Sequence, residues 1–339
     1  MRRTLVARLD NDGDVLVTSP AVRAVAAGSD SVVMMCGPRG EQAARLLPGV
    51  DEVLVWDAPW VSFAPPPVDA ADVAAVVARL RALAVDDAVV FTSFHQSPLP
   101  LALLLRMAGV PRVSAISVDY PGSLLDVRHR VPEDIHEVER ALRLAAAAGY
   151  PLPGGDDGRP RVGGFPTVAE LPVDVTAGDY VVVHPGAAVP ARAASPHIMA
   201  RMVDALADAG PVLVTGGPAE CELTATVAGA RGRDLGGRTS YAELAGVLAG
   251  ARAVVCGNTG PAHLASAVGT PVVSLFAPVV PAVRWAPYGV PVAVLGDQDA
   301  PCRDSRAREC PIPGHPCLDG IDPAAVVAAV HDIAREAVA

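Results

Sequence analysis

Four places in this sequence set residues that can do chemistry at the end of a short apolar run. The first is Leu9-Asp10-Asn11-Asp12-Gly13-Asp14, after which Thr18-Ser19-Pro20 opens a helix. A carboxylate on a strand-to-helix turn is displayed at the sheet edge, Gly13 permits the tight geometry, and such a group can serve as general base. Three other readings stand beside it. Asp10, Asn11, Asp12 and Asp14 resemble the start of a calcium loop, but Val15 stands where that loop needs glycine and Ala21 where it needs the closing glutamate. Asp12-Gly13-Asp14 has the form of an Asp-x-Asp metal motif. The plainest reading is a set of turn and helix-capping acids.

The other three lie in the second half. Val183-His184-Pro185-Gly186-Ala187 is a small-residue loop through which backbone N–H groups can approach a phosphate, and Arg192 follows as a lateral clamp or as a solvated arginine. Thr215-Gly216-Gly217-Pro218-Ala219-Glu220 again runs from a strand into a helix start; Glu220 could accept two ribose hydroxyls, or simply favour the helix N-terminus. It is not a Gly-x-Gly-x-x-Gly fingerprint, which counts against a nicotinamide enzyme. Cys256-Gly257-Asn258-Thr259-Gly260-Pro261-Ala262-His263 is the most specific: the free N–H groups of a helix start make an anion site, to which Thr259 and His263 could add hydrogen bonds. A lone helical histidine is more often structural, but this one lies one turn inside such a start.

Short β-rich runs alternating with Ala-rich helical stretches must position these segments, the pattern of an α/β protein with parallel sheets. Strands are expected at 4–9, 31–35, 52–56, 88–92 and 112–117, then at 179–184, 211–215, 253–256, 272–276 and 292–295. Helices are expected at 19–27, 41–47, 70–83 and 99–108, then at 196–209, 220–228, 241–249, 261–267 and 323–336, the last capped by Asp322. The stretch 150–165 is dense in Pro and Gly, and the domain boundary is placed shortly after it: 1–172 and 173–339. Two doubly wound halves bind ligands beyond the carboxyl ends of their strands, where all four segments lie.

Composition narrows the chemistry. All 27 basic residues are arginine, which excludes a Schiff-base lysine and a Walker A loop. A net charge of −10 with 4% aromatic residues argues against a nucleic-acid surface. No stretch reaches the ~18 apolar residues of a membrane span, and the opening run is interrupted by Arg8 and ends in acids, unlike a signal core. A cytoplasmic protein, at most peripherally associated with a membrane, is expected. Cys302, Cys310, His315 and Cys317 could nominally bind zinc, but without a Cys-x-x-Cys pair they read better as a Pro-rich surface loop.

Together these segments resemble glycosyltransferase family 9, the heptosyltransferase family, over nearly the whole chain. The start Leu5 to Pro20 looks like that family's opening strand and Gly-Asp turn; His184 to Arg192, Thr215 to Glu220 and Thr259 to His263 look like its donor-site segments. Leu105 to Val110 and Thr270 to Phe276 add to the likeness. The resemblance implies a GT-B fold: two Rossmann-like domains facing across a cleft, the first holding the acceptor and the second the nucleotide sugar. It implies an inverting transferase that needs no metal and no cofactor, taking a heptose or related sugar from an ADP-heptose-like donor. Asp14 matches the catalytic base, Arg192 the phosphate-engaging basic residue, Glu220 the carboxylate near the ribose, and Thr259, Gly260 and His263 the diphosphate turn, with Thr215, Gly216 and Asn258 completing the donor set. Two departures stand out: Asn258 replaces the family's common aspartate, and Ala193-Ala194 its basic–aromatic pair.

The acceptor, whether glycan, lipid-linked or small molecule, would be met by loops of the first half, where Arg128, Arg130 and His136 belong to a local basic cluster; solvated charges at a helix start are the plainer reading. Two rivals share the two-domain plan: a nucleotide-sugar 2-epimerase, which would change the donor without an acceptor, and a non-catalytic nucleotide-sugar binding protein, which Asn258 would suit.

Overall fold

The structure, a computed structural model, describes residues 1–62, 65–171 and 176–337. The chain divides into two units, Met1–Gly163 and Gly164–Ala339. The boundary expected between 172 and 173 lies outside the described residues.

In the first unit the strands are β1 (Arg3–Arg8), β2 (Ser31–Cys36), β3 (Glu52–Val55), β4 (Asp87–Val90), β5 (Arg112–Ile116) and β6 (Val127–His129). They form one parallel sheet in the order β3-β2-β1-β4-β5-β6. Val6 lies between Met34 on one side and Val89 on the other, and all three are buried. Such runs of Val, Met and Ala, apolar on both faces, are what a parallel sheet covered by helices on both sides requires. The helices Ser19–Ala27, Ala70–Leu83, Leu99–Ala108 and Glu137–Ala147 supply that cover.

The second unit repeats the plan with β7 (Val181–His184), β8 (Val212–Val214), β9 (Arg233–Asp234), β10 (Ala253–Gly257), β11 (Val272–Leu275) and β12 (Val292–Leu295), in the order β12-β11-β10-β7-β8-β9. Val255 pairs with Val183 and Val273. In each unit the first strand therefore lies next to the fourth, and the chain winds away from that junction in both directions. This is the doubly wound, Rossmann-like order, and the two connections diverging at the junction open a crevice at the carboxyl ends of its strands.

Every strand expected from the sequence is present, with bounds shifted by one or two residues. The two added strands, β6 and β9, are short and polar and finish the sheets at one edge. The helix Glu137–Ala147 is likewise an addition, and it bears on the site below. The last helix, Pro323–Glu336, is capped as expected, Asp322 Oδ1 accepting from Ala324 N–H at 3.0 Å. Among the described residues no helix is long and apolar enough to cross a membrane.

The Pro/Gly-rich stretch after Tyr150 is loop, as expected, but it is tied to the first unit. Arg23 donates from Nε and Nη2 to the two oxygens of Asp156, both at 2.7 Å, and from Nη2 to Arg159 C=O at 2.9 Å. These bonds from Arg23 hold the Asp156 carboxyl at about 2, below its ordinary 3.8. A carboxyl depressed in the folded state adds stability above its unfolded pKa and loses it as pH falls through the folded value. Asp156→Asn is expected to cost about 1.5–3 kcal/mol at neutral pH, the range for charged hydrogen bonds. In urea unfolding the gap to wild type should close as pH falls from about 4 to about 2; a gap that persists at the acid end would show the pair is not its source.

Candidate functional site

In the first unit the crevice lies between the ends of β1 and β4, and a single arginine organises it. Arg8 closes β1, and only 1% of its surface is exposed. Its Nη2 donates to Asp14 Oδ1 and to Ser93 Oγ, both at 2.9 Å, and its Nη1 to Glu137 Oε2 at 3.3 Å. Its Nε stands 2.8 Å from Asp10 Oδ2, an ion pair without hydrogen-bond geometry. Burial works against this charge, but Asp10, Asp14 and Glu137 outweigh it and raise the guanidinium pKa above its ordinary value.

Asp14, the expected base, sits here. The helix begins at Asp12, earlier than the Thr18-Ser19-Pro20 signal suggests, so that Asp14 is its third residue and Oδ2 accepts from Asn11 N–H at 3.2 Å. The capping reading and the catalytic reading are therefore both compatible with its position. Its side chain keeps 14% of its surface exposed, against 7% for Asp10 and 1% for Glu137. Of the three carboxylates around Arg8 it is the one open to a ligand.

Ser93, Gln96 and Glu137 were not singled out by residue type and spacing, and Asp10 stood only among the turn acids of the first segment. Gln96 donates from Nε2 to Asp10 Oδ1, and Ser93 Oγ is 3.2 Å from both Asp10 Oδ2 and Asp14 Oδ1. Burial first, then the charge of Asp14, pushes the Asp10 carboxyl up to about 6, while Arg8 pulls the other way. The signal that could have pointed here is Arg8 itself, a charged residue inside an apolar strand.

In the second unit the corresponding crevice lies between the ends of β7 and β10. His184 ends β7 and its Nδ1 is 3.1 Å from Thr215 Oγ1, both groups being buried. Burial pushes the imidazole pKa down, and Glu220 acts in the opposite sense. Glu220 folds back so that Oε2 accepts from Gly217 N–H at 2.7 Å, and its carboxylate fills the space where a Cβ of Gly186 would fall. Gly216 faces the same side chain. Glycine at 186 thus leaves room for the Glu220 head group in this position.

Asn258, Thr259, Gly260 and His263 follow β10. A Cβ on Gly257 would come 2.5 Å from Arg192 C=O, so glycine there lets the Pro190–Arg192 turn pack onto the strand end and brings Arg192 beside Asn258. Thr259 is the N-cap of the helix Gly260–Ala267, but its hydroxyl does not cap it. Pro261 has no N–H, so the donors of this helix end are the N–H groups of Thr259 and Gly260 and the Thr259 hydroxyl, a set suited to an anion. His263 is buried and meets Trp285 edge-on at 6.5 Å. Asn258 Oδ1 accepts from Ala277 N–H at 3.4 Å, and its buried Nδ2 has no partner among the described residues. Arg192, Thr215, Gly216, Glu220, Asn258, Thr259, Gly260 and His263 are thus gathered at one end of one sheet.

The three residues expected to meet the acceptor lie on and after β6 and at the cap of the following helix. Arg128 lies on β6, not at a helix start, and donates to Ser117 C=O at 3.1 Å and Val118 C=O at 2.7 Å. Arg130 is exposed, and His136 is the N-cap of Glu137–Ala147, its Nδ1 accepting from Val138 N–H at 3.1 Å. Cys302 and Cys317 are buried; burial, with the neighbouring Cys302 and Cys310, pushes the Cys317 thiol up to about 11. Among the described residues no group of three or more His, Cys, Asp or Glu side chains is arranged to hold a metal ion.

The chain is similar to known proteins in sequence and in fold. The sequence profile of Glycosyltransferase family 9 (heptosyltransferase) matches residues 95–315. Lipopolysaccharide heptosyltransferase 1 of Pseudomonas aeruginosa is 45% identical over 73 residues, 22% of this chain and 20% of that protein; the match spans one fifth of the relative's length. The fold is shared with E. coli ADP-heptose lps heptosyltransferase II (TM-score 0.76, 20% identity, 100% of both chains). It is shared also with a family 9 glycosyl transferase from Veillonella parvula (0.77, 15%, 99% and 97%). E. coli heptosyltransferase WaaC, solved with ADP-2-deoxy-2-fluoro heptose, superposes with a TM-score of 0.71 at 20% identity over 97% and 99% of the chains.

The Gly186–Glu220 contact makes a testable pair. Gly186→Ala must displace the Glu220 carboxylate from Gly217 N–H, at a cost of about 0.5–2 kcal/mol, that of a lost N-terminal cap. In a Glu220→Ala background the same change is expected to cost almost nothing, because the obstructing group is gone. Thermal unfolding of the two single variants and the double variant measures this coupling, and simple additivity would refute it.

Proposed function

Because the chain belongs to glycosyltransferase family 9, the heptosyltransferase family, we propose that it moves a heptose or related sugar from a nucleoside-diphosphate donor to an acceptor hydroxyl, with inversion and without a metal ion. The observation that carries this reading is the pairing of features at equivalent strand ends. One unit displays a partly exposed carboxylate paired with a buried arginine at 2.9 Å, and the other an anion-binding helix start beside an arginine.

Asp14 takes the proton from the acceptor hydroxyl as that oxygen bonds to the anomeric carbon, and the bond from that carbon to the diphosphate breaks on the opposite face. The sugar passes through an oxocarbenium-like state. The leaving diphosphate keeps the bonding electrons, and Arg192, the N–H groups of Thr259 and Gly260, and His263 stabilise the charge that grows there. Donors of that kind, fixed before the reaction, supply what a divalent ion supplies elsewhere. Glu220 serves the ribose side through the Gly186 and Gly216 backbone it supports. The donor is ADP-heptose-like, as in the solved relative with a bound heptose analogue. Asn258, where the family commonly has aspartate, gives the site a neutral amide at that point. The acceptor is a glycan, lipid-linked or small molecule met by the first unit, and the reaction is cytoplasmic, with membrane association at most peripheral.

The test is transfer from ADP-heptose to candidate acceptors, followed by NMR of the product. The anomeric configuration should be opposite to the donor's, and the rate should be unchanged by EDTA. Asp14→Ala is expected to lower transfer by about 10²–10⁴-fold, the usual contribution of a general base, with ADP affinity nearly intact. Retained configuration would overturn the mechanism, and lost ADP binding would assign Asp14 another role.

A further inference from the structure

We propose that Asp10 is a positioning residue that sets the base strength of Asp14, the two carboxyls sharing one proton through the Ser93 hydroxyl. The kinetic consequence rests on Asp14 as base; the shared proton does not.

The charge count comes first. Around Arg8 stand Asp10 after β1, Asp14 from the helix beginning at Asp12, and Glu137 from the helix Glu137–Ala147. Glu137 also meets Arg140 at 3.5 Å, and Arg140 donates to Thr92 C=O at 2.6 Å. Nearby lie Asp12 on the same turn, Arg39 on the Pro38–Gly40 turn, and Glu41, which is paired with Arg45 at 2.6 Å. Two arginines and three carboxylates leave the buried cluster one negative charge in excess when all are ionised. Excess charge in a buried place is costly, and the usual relief is to keep a proton.

The geometry says where that proton sits. Asp14 accepts in hydrogen-bond geometry from Arg8 and from Asn11 N–H, and it is partly open to water. Asp10 is more deeply buried and its contact with Arg8 Nε lacks hydrogen-bond geometry. Gln96 occupies Asp10 Oδ1, which leaves Oδ2 as the protonation site, 3.2 Å from Ser93 Oγ. Ser93 Oγ accepts from Arg8 Nη2 and has a single proton of its own to give.

Two states follow. With Asp10 protonated, Oδ2–H donates to Ser93, whose hydroxyl must then turn to Asp14 Oδ1. Asp14 receives donors from Arg8, Ser93 and Asn11 together and is a weak base. With Asp10 ionised, the Ser93 hydroxyl is drawn to Asp10 and a second negative charge faces Asp14. Asp14 is then the stronger base. Asp10 has its pKa raised to about 6, so the stronger state grows in as pH rises through that value.

The experiment uses the full chain labelled with carbon-13 at the aspartate carboxyls and titrated by NMR, with Asp10→Asn, Asp14→Asn and Ser93→Ala for assignment. One carboxyl should titrate near pH 6 and vanish in Asp10→Asn. The Asp14 resonance should show an inflection at the same pH, lost in Asp10→Asn and in Ser93→Ala, while Asp10 in Ser93→Ala still titrates. If Asp10→Asn does not fold, the wild type and Ser93→Ala decide the matter. The absence of any carboxyl titrating well above the ordinary range, or an Asp14 signal indifferent to Asp10 and Ser93, overturns the proposal. In the transfer assay the wild-type rate should rise a few-fold across pH 5 to 7 beyond any effect on KM, and Asp10→Asn should stay at the lower level throughout. A rise that persists in Asp10→Asn also overturns it. If the NMR couplings are found and no transfer occurs, the transferase reading fails and the shared proton stands.

Discussion

A guanidinium that cannot lose its proton, buried at the end of a β-strand, is the constraint around which the first unit is arranged. Arg8 follows the buried apolar residues Leu5, Val6 and Ala7 of β1, and its charge must be answered where it stands. Breaking a buried pair by removing one partner typically costs about 3–5 kcal/mol, so the partners are held as firmly as a core. They come from three separate parts of the chain: the turn after β1, the loop after β4 and the start of the helix Glu137–Ala147. The need to neutralise one side chain thus brings the two connections that diverge at the β1/β4 junction back to a common point. Asp14 is displayed as a result.

The second unit has the same strand order and meets its junction in a different way. Where the first unit uses charge, the second uses missing side chains. Gly186 makes room for the Glu220 head group and Gly257 for the Arg192 backbone, so three loops close together around the end of β10. The difference fits the two tasks proposed for them. A base needs a fixed charge environment, because its proton affinity depends on it. A diphosphate needs backbone N–H groups at close range, and any Cβ in the way would hold it off.

The sheets were largely legible because a doubly covered parallel strand has few ways to be spelled: Val181-Val182-Val183 and Val272-Val273 state their burial outright. The close approaches at Gly186, Gly216 and Gly257 were legible for a related reason, since small residues after such strands mark where neighbouring groups must come close. Illegible were β6 and β9, which add a polar edge by backbone hydrogen bonds that leave no trace in side-chain pattern. The Arg8 cluster was legible only in its acids next to β1, Asp10 and Asp14. Ser93, Gln96 and Glu137 lie about 80 to 130 positions further on, and no local spacing links them to that turn. The partners of Arg128 were likewise out of reach of sequence spacing: its guanidinium holds the carbonyls of Ser117 and Val118, about ten positions before it.

The absence of lysine gives the cluster its particular chemistry. A buried lysine can shed its proton and so relieve a crowded site by becoming neutral. Arg8 has no such option, and the surrounding acids raise its pKa further. Its planar fork also reaches three carboxyls and a hydroxyl at once, which a single ammonium on a flexible stem would not hold in fixed directions. With the cation permanently charged, the only place left for a mobile proton is among the acids themselves. The three acids differ in burial and in the donors they receive, so the proposed shared proton has a preferred seat on the buried Asp10, while Asp14 is the most exposed of them.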